Sequence, residues 1–344
     1  MTAEVEARAM RAAIAASERV RGTTSPNPPV GCVILDARGE VAGTGATSPP
    51  GGPHAEVNAL GEAGSRAQGG TAVVTLEPCA HTGRTPPCAE ALRAAGVARV
   101  VHAVSDPNPS AAGGAEVLRA AGVDVHSGLL RDEVAKGPLR AWLHFVHTGR
   151  PHVTWKYAAT LDGRSAAADG TSKWISSAES RAEVGRVRAA MDAIIAGTGT
   201  ILADDAQLTA RDPGGALLDR QPLRVVIGDR EIPPGSRVLD AAAETVRLPG
   251  GDPAAALAEL ARRGVVDVLL EGGPTLAGAF WRARLVDRVL AYVAPALLGS
   301  GPAALGDAGV GSISQAWRLR IEETTMSGPD VRISAVPISA APQD

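Results

Sequence analysis

Aromatic residues make up only 3% of the 344-residue chain, and it holds three cysteines in all. With so few rings in a 45% hydrophobic composition, the cores must be packed from small aliphatic side chains. The same scarcity removes the interleaved basic and aromatic residues on which nucleic-acid single strands stack. A surplus of positive charge is also missing. The formal net charge is −3, which leaves no footprint for a long nucleic acid. No run approaches the roughly 20 apolar residues of a membrane span. The stretch MTAEVEARAMRAAIAASERV has no apolar segment of the signal-peptide kind, because Glu4, Glu6, Arg8, Arg11, Glu18 and Arg19 interrupt it. Val5, Met10, Ala13 and Ile14 suit one face of an amphipathic helix instead. The expectation is a soluble cytoplasmic protein, a compartment in which a structural disulfide is rare. Cys32, in the apolar run PVGCVIL, reads as core packing.

What is present is a double alternation of strand and helix patterns. In the first part, strands are expected over residues 30–35, 40–45, 71–76, 99–104 and 123–126, and helices over 55–63, 89–95 and 116–121. HTGRP (147–151) reads as a short linker. A second series follows, with strands at 152–159, 193–196, 223–227, 266–270, 288–294 and 331–336. Helices are expected at 178–190, 253–263 and 274–282, and the tail after Pro337 as frayed. The expectation is two α/β domains, residues 1–147 and 148–344.

Cys79 and Cys88 stand in TLEPCAHTGRTPPC, each directly after a proline. PHAEV places His54 and Glu56 together at the start of a helix, and Cys88 precedes another helix, where a thiolate is favoured. One nitrogen and two sulfurs make three ligands, the number a catalytic zinc takes while keeping its fourth position for water. His-x-Glu followed by Pro-Cys and a second cysteine is the pattern of zinc deaminases, with the glutamate as proton shuttle and not as ligand. The eight residues between the cysteines depart from the two of that pattern. Read this way, His54, Cys79 and Cys88 are the metal ligands and Glu56 the catalytic residue.

With TSPNPPVGCVI (24–34), PHAEVNAL (53–60) and SDPNP (105–109), this stretch resembles the deaminase half of the bifunctional deaminase/reductase family of riboflavin biosynthesis. A long loop between the cysteines is normal in that family. The resemblance implies a cytidine-deaminase-like three-layer α/β/α domain. It implies hydrolytic loss of the 2-amino group of a diaminopyrimidinone ribosyl phosphate, with Asn27 and His81 contacting substrate. Many relatives carry histidine in a G-x-H pattern where this chain has Gly45-Ala46-Thr47.

LLEGGPTLAGAFW (269–281) reads as strand, glycine turn and helix, able to receive a phosphate at the helix start, although it is not the dinucleotide fingerprint. GTGTILADD (197–205) is a second glycine-rich strand end. Together with KYAATLDGRSA (156–166), TSKWISS (171–177), RVRA (186–189), LTAR (208–211) and APALLGS (295–300), this half resembles the family's reductase domain, a dihydrofolate-reductase-like α/β fold using NADPH. The resemblance implies an NADPH site lined by Ala158, Trp174, Thr200, Asp204, Asp229 and the run Gly273, Pro274, Thr275, Leu276, Ala277, Gly278 and Ala279. It implies a substrate site of Ser172, Arg188, Leu208, Arg211 and Glu271, with Arg188 and Arg211 clamping the phosphate. Lys156 and Asp162 are candidates for orienting the reacting imine. The partners expected are a small phosphorylated pyrimidine and further copies of the chain, as dimer or tetramer, with no nucleic acid and no membrane. The competing readings are a paralogue acting on a related pyrimidine, suggested by Thr47, a nucleic-acid editing deaminase, and a non-catalytic metal scaffold, against which Glu56 argues.

Overall fold

The computed structural model describes residues 2–81, 86–109 and 111–338. The chain divides into two compact units at Arg150/Pro151. The linker expected from residue 147 begins later, because α6 (Arg140–Thr148) carries the helix through His147 and Thr148 to a left-handed Gly149.

The amino-terminal unit is a five-stranded sheet in the order β2-β1-β3-β4-β5. Its strands are β1 (Gly31–Leu35), β2 (Val41–Ala46), β3 (Thr71–Leu76), β4 (Arg99–Val104) and β5 (Asp124–Ser127). β1 runs antiparallel to β2 and β3, while β3, β4 and β5 are parallel. Two glycines show how the layers form. Gly31 pairs with Ala46, and Cys32 with Gly45. Successive residues point to opposite faces of a sheet, so Gly31 and Gly45 look opposite ways. A Cβ on Gly31 would stand 1.9 Å from Ala13 O of α1 (Ala3–Arg19), and one on Gly45 would stand 2.3 Å from Ala55 O of α2 (Ala55–Ala63). The two helices therefore lie on opposite faces, each seated directly on a strand backbone, which makes three layers. The inward face of α1 is Glu6, Ala9, Met10, Ala13, Ala16 and Ser17; of the expected face Met10 and Ala13 are buried, while Val5 and Ile14 sit half-buried at its border. Glu6 is drawn in by a 2.8 Å ion pair with Arg99. The short helices α3 (Cys88–Ala94), α4 (Gly114–Ala120) and α5 (Arg131–Lys136) follow.

The carboxy-terminal unit is an eight-stranded sheet in the order β12-β13-β11-β6-β10-β7-β8-β9. From β11 to β9 all neighbours are parallel, and β13 and β12 add on antiparallel. The strands are β6 (His152–Thr160), β7 (Ala193–Gly197), β8 (Leu223–Ile227), β9 (Thr245–Leu248), β10 (Asp267–Leu270), β11 (Arg288–Ala294), β12 (Leu319–Ser327) and β13 (Asp330–Pro337). Their side chains alternate between two cores, as a sheet covered on both faces requires. Ile195, Val225, Ile227, Val268 and Leu270 meet Leu257 and Leu260 of α9 (Pro253–Arg262) and Phe280 and Trp281 of α10 (Pro274–Arg282). Ile194, Val226 and Leu269 meet Ile201 of α8 (Thr198–Asp204) and Val187 of α7 (Ala178–Ala189) on the other face. No helix among the described residues is long and apolar enough to cross a membrane. The tail expected to fray lies, beyond Ile338, outside the described residues.

Candidate active sites in the two units

In the amino-terminal unit, three element ends converge. His54 is the residue before α2, its backbone extended and its imidazole making no capping bond to the helix. Cys79 follows the end of β3 by three residues, and Cys88 opens α3 after Pro87. His54 Nδ1 lies 3.2 Å from Cys88 Sγ and 3.6 Å from Cys79 Sγ. The three donor atoms all fall within 4.8 Å of one another. Zinc–nitrogen and zinc–sulfur bonds of ordinary length, set at tetrahedral angles, put such donors about 3.6 Å apart. The triangle therefore fits zinc by size and by donor type, and it offers three ligands, leaving one position for water.

Glu56 is buried beside the triangle and is not one of its donors. Burial raises its carboxyl to about 7, and the Cys79 thiolate adds to the effect. The two thiols are unequal. Cys79 is held down to about 4, first by the hydrogen bond from the Cys88 thiol and then by His54, while Cys88 is pushed up as the proton donor of the pair.

His54, Glu56 and Cys79 open into a cavity of about 450 Å³ that Asn27, His81, Thr47 and Asp106 also line. Asn27 and His81, the two residues expected to contact substrate, are thus both part of its lining. Residues 82–85, which follow His81, lie outside the described residues. Thr47 spends its hydroxyl on the fold. Its Oγ1 accepts from Val30 N at 3.0 Å while its own N–H donates to Val30 O at 2.9 Å, adding one rung to the β1–β2 pair. Glu77, which the sequence reading passed over, closes the back of the site. Its carboxylate accepts from Asp106 N (3.2 Å), Gly113 N (3.2 Å) and Ala115 N (3.1 Å), fixing the segment that bears Asp106 and Asn108. Its place in Glu-Pro-Cys, directly ahead of a ligand, was the available signal.

In the carboxy-terminal unit a cavity of about 1340 Å³ lies across the carboxyl ends of the parallel strands. Such ends are where ligands bind in open α/β sheets. Ala158, Trp174, Thr200, Asp204, Gly273, Pro274, Thr275, Leu276 and Ala279 line it, as do Ser172, Arg188, Leu208, Arg211 and Glu271. Three expected residues are placed elsewhere. Ala277 is fully buried in the core under α10. Gly278 packs against the backbone of Asp307, where a Cβ would stand 2.2 Å from its carbonyl. Asp229 turns to accept from Gly250 N at 3.1 Å and is absent from the wall.

At the Gly272–Gly273 turn a Cβ on Gly272 would crowd the Leu276 side chain, 2.8 Å from Cδ2, while one on Gly273 would stand 3.4 Å from Thr200 Oγ1. Thr200 Oγ1 accepts from Gly273 N at 3.1 Å and ties α8 to the start of α10. The turn thus presents bare backbone and a nine-residue helix start to the cavity, a cradle suited to the phosphates of a nucleotide cofactor. Ser172 and Asp204 are brought together, with Oγ 3.4 Å from Oδ1.

Arg188 is already engaged. Its Nε and Nη2 donate to Glu271 at 2.8 and 2.5 Å, and Nη1 donates to Thr209 O at 3.1 Å. Arg211 donates to Gly215 O at 2.5 Å and to Gln207 Oε1. Both arginines of the expected phosphate clamp thus line the cavity while donating to acceptors of the protein itself. Burial alone would raise Glu271, but Arg188 overrides it and holds the carboxylate at about 2. Lys156 lines the same cavity, its ammonium 5.8 Å from the Tyr292 ring and its pKa lowered by burial. Asp162 is not part of the wall. Its carboxylate takes the Thr160 hydroxyl (2.5 Å) and the N–H groups of Leu298 (3.2 Å) and Gly299 (2.7 Å), so in this structure it clamps a loop.

Comparison with known proteins agrees with this geometry. Residues 3–104 match the family model of the cytidine and deoxycytidylate deaminase zinc-binding region, and residues 151–333 match the RibD C-terminal domain. The riboflavin biosynthesis protein RibD of Mycobacterium tuberculosis is 55% identical over 328 residues, which cover 95% of this chain and 96% of that one. The Escherichia coli RibD is 40% identical, covering 95% and 98%. Among solved structures, Acinetobacter baumannii RibD superposes with a TM-score of 0.89 at 37% identity, covering 98% of this chain and 100% of that one. A deaminase/reductase from Thermotoga maritima gives a TM-score of 0.88 at 30% identity, covering 98% and 99%. With a three-donor zinc triangle in one unit, a phosphate cradle in the other and this likeness along nearly its whole length, the chain belongs to the RibD family, the bifunctional deaminase/reductases of riboflavin biosynthesis.

Proposed function

We propose that the amino-terminal unit hydrolytically removes the 2-amino group of a diaminopyrimidinone ribosyl phosphate. The carboxy-terminal unit then reduces the ribosyl group to ribityl with NADPH. The observation that carries this reading is the coexistence of a zinc-sized donor triangle, with a buried non-ligand carboxylate beside it, and a separate strand-end cavity with a phosphate cradle.

In the first unit His54, Cys79 and Cys88 hold the metal, which when bound supplies a Lewis acid and lowers the pKa of water toward ~7. Glu56 takes the proton from the attacking water and delivers it to the departing amine, which leaves as ammonia. Asn27 and His81 hold the pyrimidine, and Glu77 keeps the wall behind it in place. In the second unit NADPH supplies the hydride. The α10 start and Thr200 would seat its phosphates, Trp174 would cover the nicotinamide, and Ala158 and Asp204 would complete the site. Lys156 orients the opened imine, with Glu271 and Arg188 beside it, and Ser172, Leu208 and Arg211 line the substrate side. Self-association into a dimer or tetramer is part of the proposal. It is supported by β12, an edge strand whose Ile321 and Met326 are 60% and 64% exposed.

The test follows ammonia and NADPH separately, using purified protein. Glu56→Gln should cut ammonia release by at least ~10²-fold. Zinc content, and NADPH oxidation on substrate that has already been deaminated, should stay at wild-type levels. Equal loss of both activities would contradict a two-site enzyme.

A further inference from the structure

A phosphate monoester is bound best by guanidinium groups whose charge no carboxylate has already taken up. Arg188 is not such a group, because both oxygens of Glu271 accept from it. Arg211 is. Its acceptors are Gly215 O and Gln207 Oε1, both uncharged. A second cation meets the same atom. Arg237, which opens the single turn Arg237–Leu239 beyond β8, donates Nη2 to Gln207 Oε1 at 2.9 Å and also lines the cavity. Among the described residues, neither guanidinium has a carboxylate within ion-pair distance. Two arginines thus share one neutral oxygen on the cavity wall, and both positive charges are left for a ligand.

The fold holds this junction in place from behind. Gln207 Nε2 donates to Asp240 Oδ2 at 2.5 Å, which fixes the amide so that its oxygen faces the arginines. Asp240 is itself held by Arg224 of β8, whose Nη1 reaches Oδ1 at 2.7 Å and whose Nη2 reaches the Asp240 carbonyl at 2.5 Å. Arg224 is fully buried, so this backing is part of the core. The carboxylate behind the amide is thereby committed to Arg224 and leaves Arg211 and Arg237 unneutralised. Asp205 Oδ1 accepts from the backbone N–H of Arg237 at 2.9 Å and anchors the turn.

Two like charges on one acceptor repel each other, and a phosphate monoester, close to doubly charged at neutral pH, relieves that repulsion when seated between them. The connections of the segment say which phosphate. Thr209 O, between Gln207 and Arg211, accepts from Arg188 Nη1 at 3.1 Å, so the junction is tied to the Arg188–Glu271 pair beside Lys156. The α10 cradle is instead tied to Thr200. We infer that Arg237 is a phosphate-binding residue, paired with Arg211 across Gln207, for the ribosyl phosphate of the pyrimidine substrate. This rests on the reductase reading of the cavity.

The test compares wild type, Arg237→Gln and Arg237→Lys, with thermal melts to confirm folding. It measures the reductase KM for substrate that has already been deaminated, the inhibition constant of inorganic phosphate against that substrate at saturating NADPH, and the dissociation constant of NADP⁺. A charge-assisted contact at a partly solvated site is worth about 10-fold in affinity. Arg237→Gln should raise both KM and the phosphate inhibition constant by about that factor, the effect falling on KM rather than kcat. Arg237→Lys should recover part of each, and NADP⁺ should bind all three proteins alike. An unchanged KM overturns the assignment, as does a raised KM with phosphate inhibition as in wild type, or a wild type that phosphate does not inhibit. Weaker NADP⁺ binding with KM intact would put the contact on the cofactor and overturn it too. If wild type does not reduce the deaminated substrate, the reductase reading fails first and the assignment with it.

Discussion

Arg188 and Glu271 show how much a single residue pair can redirect a reading. Both line the carboxy-terminal cavity, yet each is the other's main partner, through two parallel hydrogen bonds. Arg188→Ala would leave a mostly buried carboxylate without its cation. Loss of one partner of a buried pair costs about 3–5 kcal/mol, and the partial exposure of Arg188 puts the expected loss at the lower end. Calorimetric melting at neutral pH measures it. The pair also predicts an acid limb. Glu271 is held at about 2, below its unfolded value of about 4.3. Its contribution is therefore full above the unfolded value and is lost as the pH falls through about 4 toward 2. Urea melts across that range should show a shallower decline in Glu271→Gln than in wild type.

Chemistry at this scale was legible where the residue type is demanding. His54, Glu56, Cys79 and Cys88 are named by what zinc and proton transfer require. Hydrogen-bond occupancy was not legible. Thr47, Asp162 and Asp229 have the right polarity for ligand contact, but their side chains are spent on Val30, Leu298–Gly299 and Gly250, partners that only the fold brings near.

Elements were read well where burial imposes a period and poorly where it does not. β3, β4, β8, β11, α2 and α10 have the bounds their apolar patterning suggests. β12 escaped because nearly all its residues are exposed or half-exposed, so no alternation marks it, and α8 hid inside a glycine-rich stretch that reads as a strand end. The seating of α1 on β1 gives a test. A methyl at Gly31 would meet the Ala13 carbonyl at 1.9 Å, a backbone contact that no rotamer relieves. Gly31→Ala should therefore destabilise the amino-terminal unit by at least the roughly 1–3 kcal/mol of an overpacked core. The measurement is a thermal melt followed by helical circular dichroism. A variant as stable as wild type would mean that α1 can lift off the sheet at little cost.

The whole molecule places all three metal donors within residues 54–88 and the phosphate cradle beyond residue 197. Stripping zinc with a chelator should therefore abolish ammonia release while NADP⁺ still binds with its original dissociation constant. Readdition of zinc should restore the first activity, and calorimetry before and after chelation checks the second. A concerted loss of both would show that the metal organises more of the chain than its own unit. The scarcity of rings has a use here. Of the five tryptophans, Trp142, Trp155 and Trp281 are buried and Trp317 is half-buried, while Trp174 is 71% exposed on the wall of the carboxy-terminal cavity. A dissolved quencher such as iodide reaches an indole only where solvent does. Trp174 is thus a built-in optical probe: the quenchable part of the native emission reports whether that cavity is filled, with no label attached.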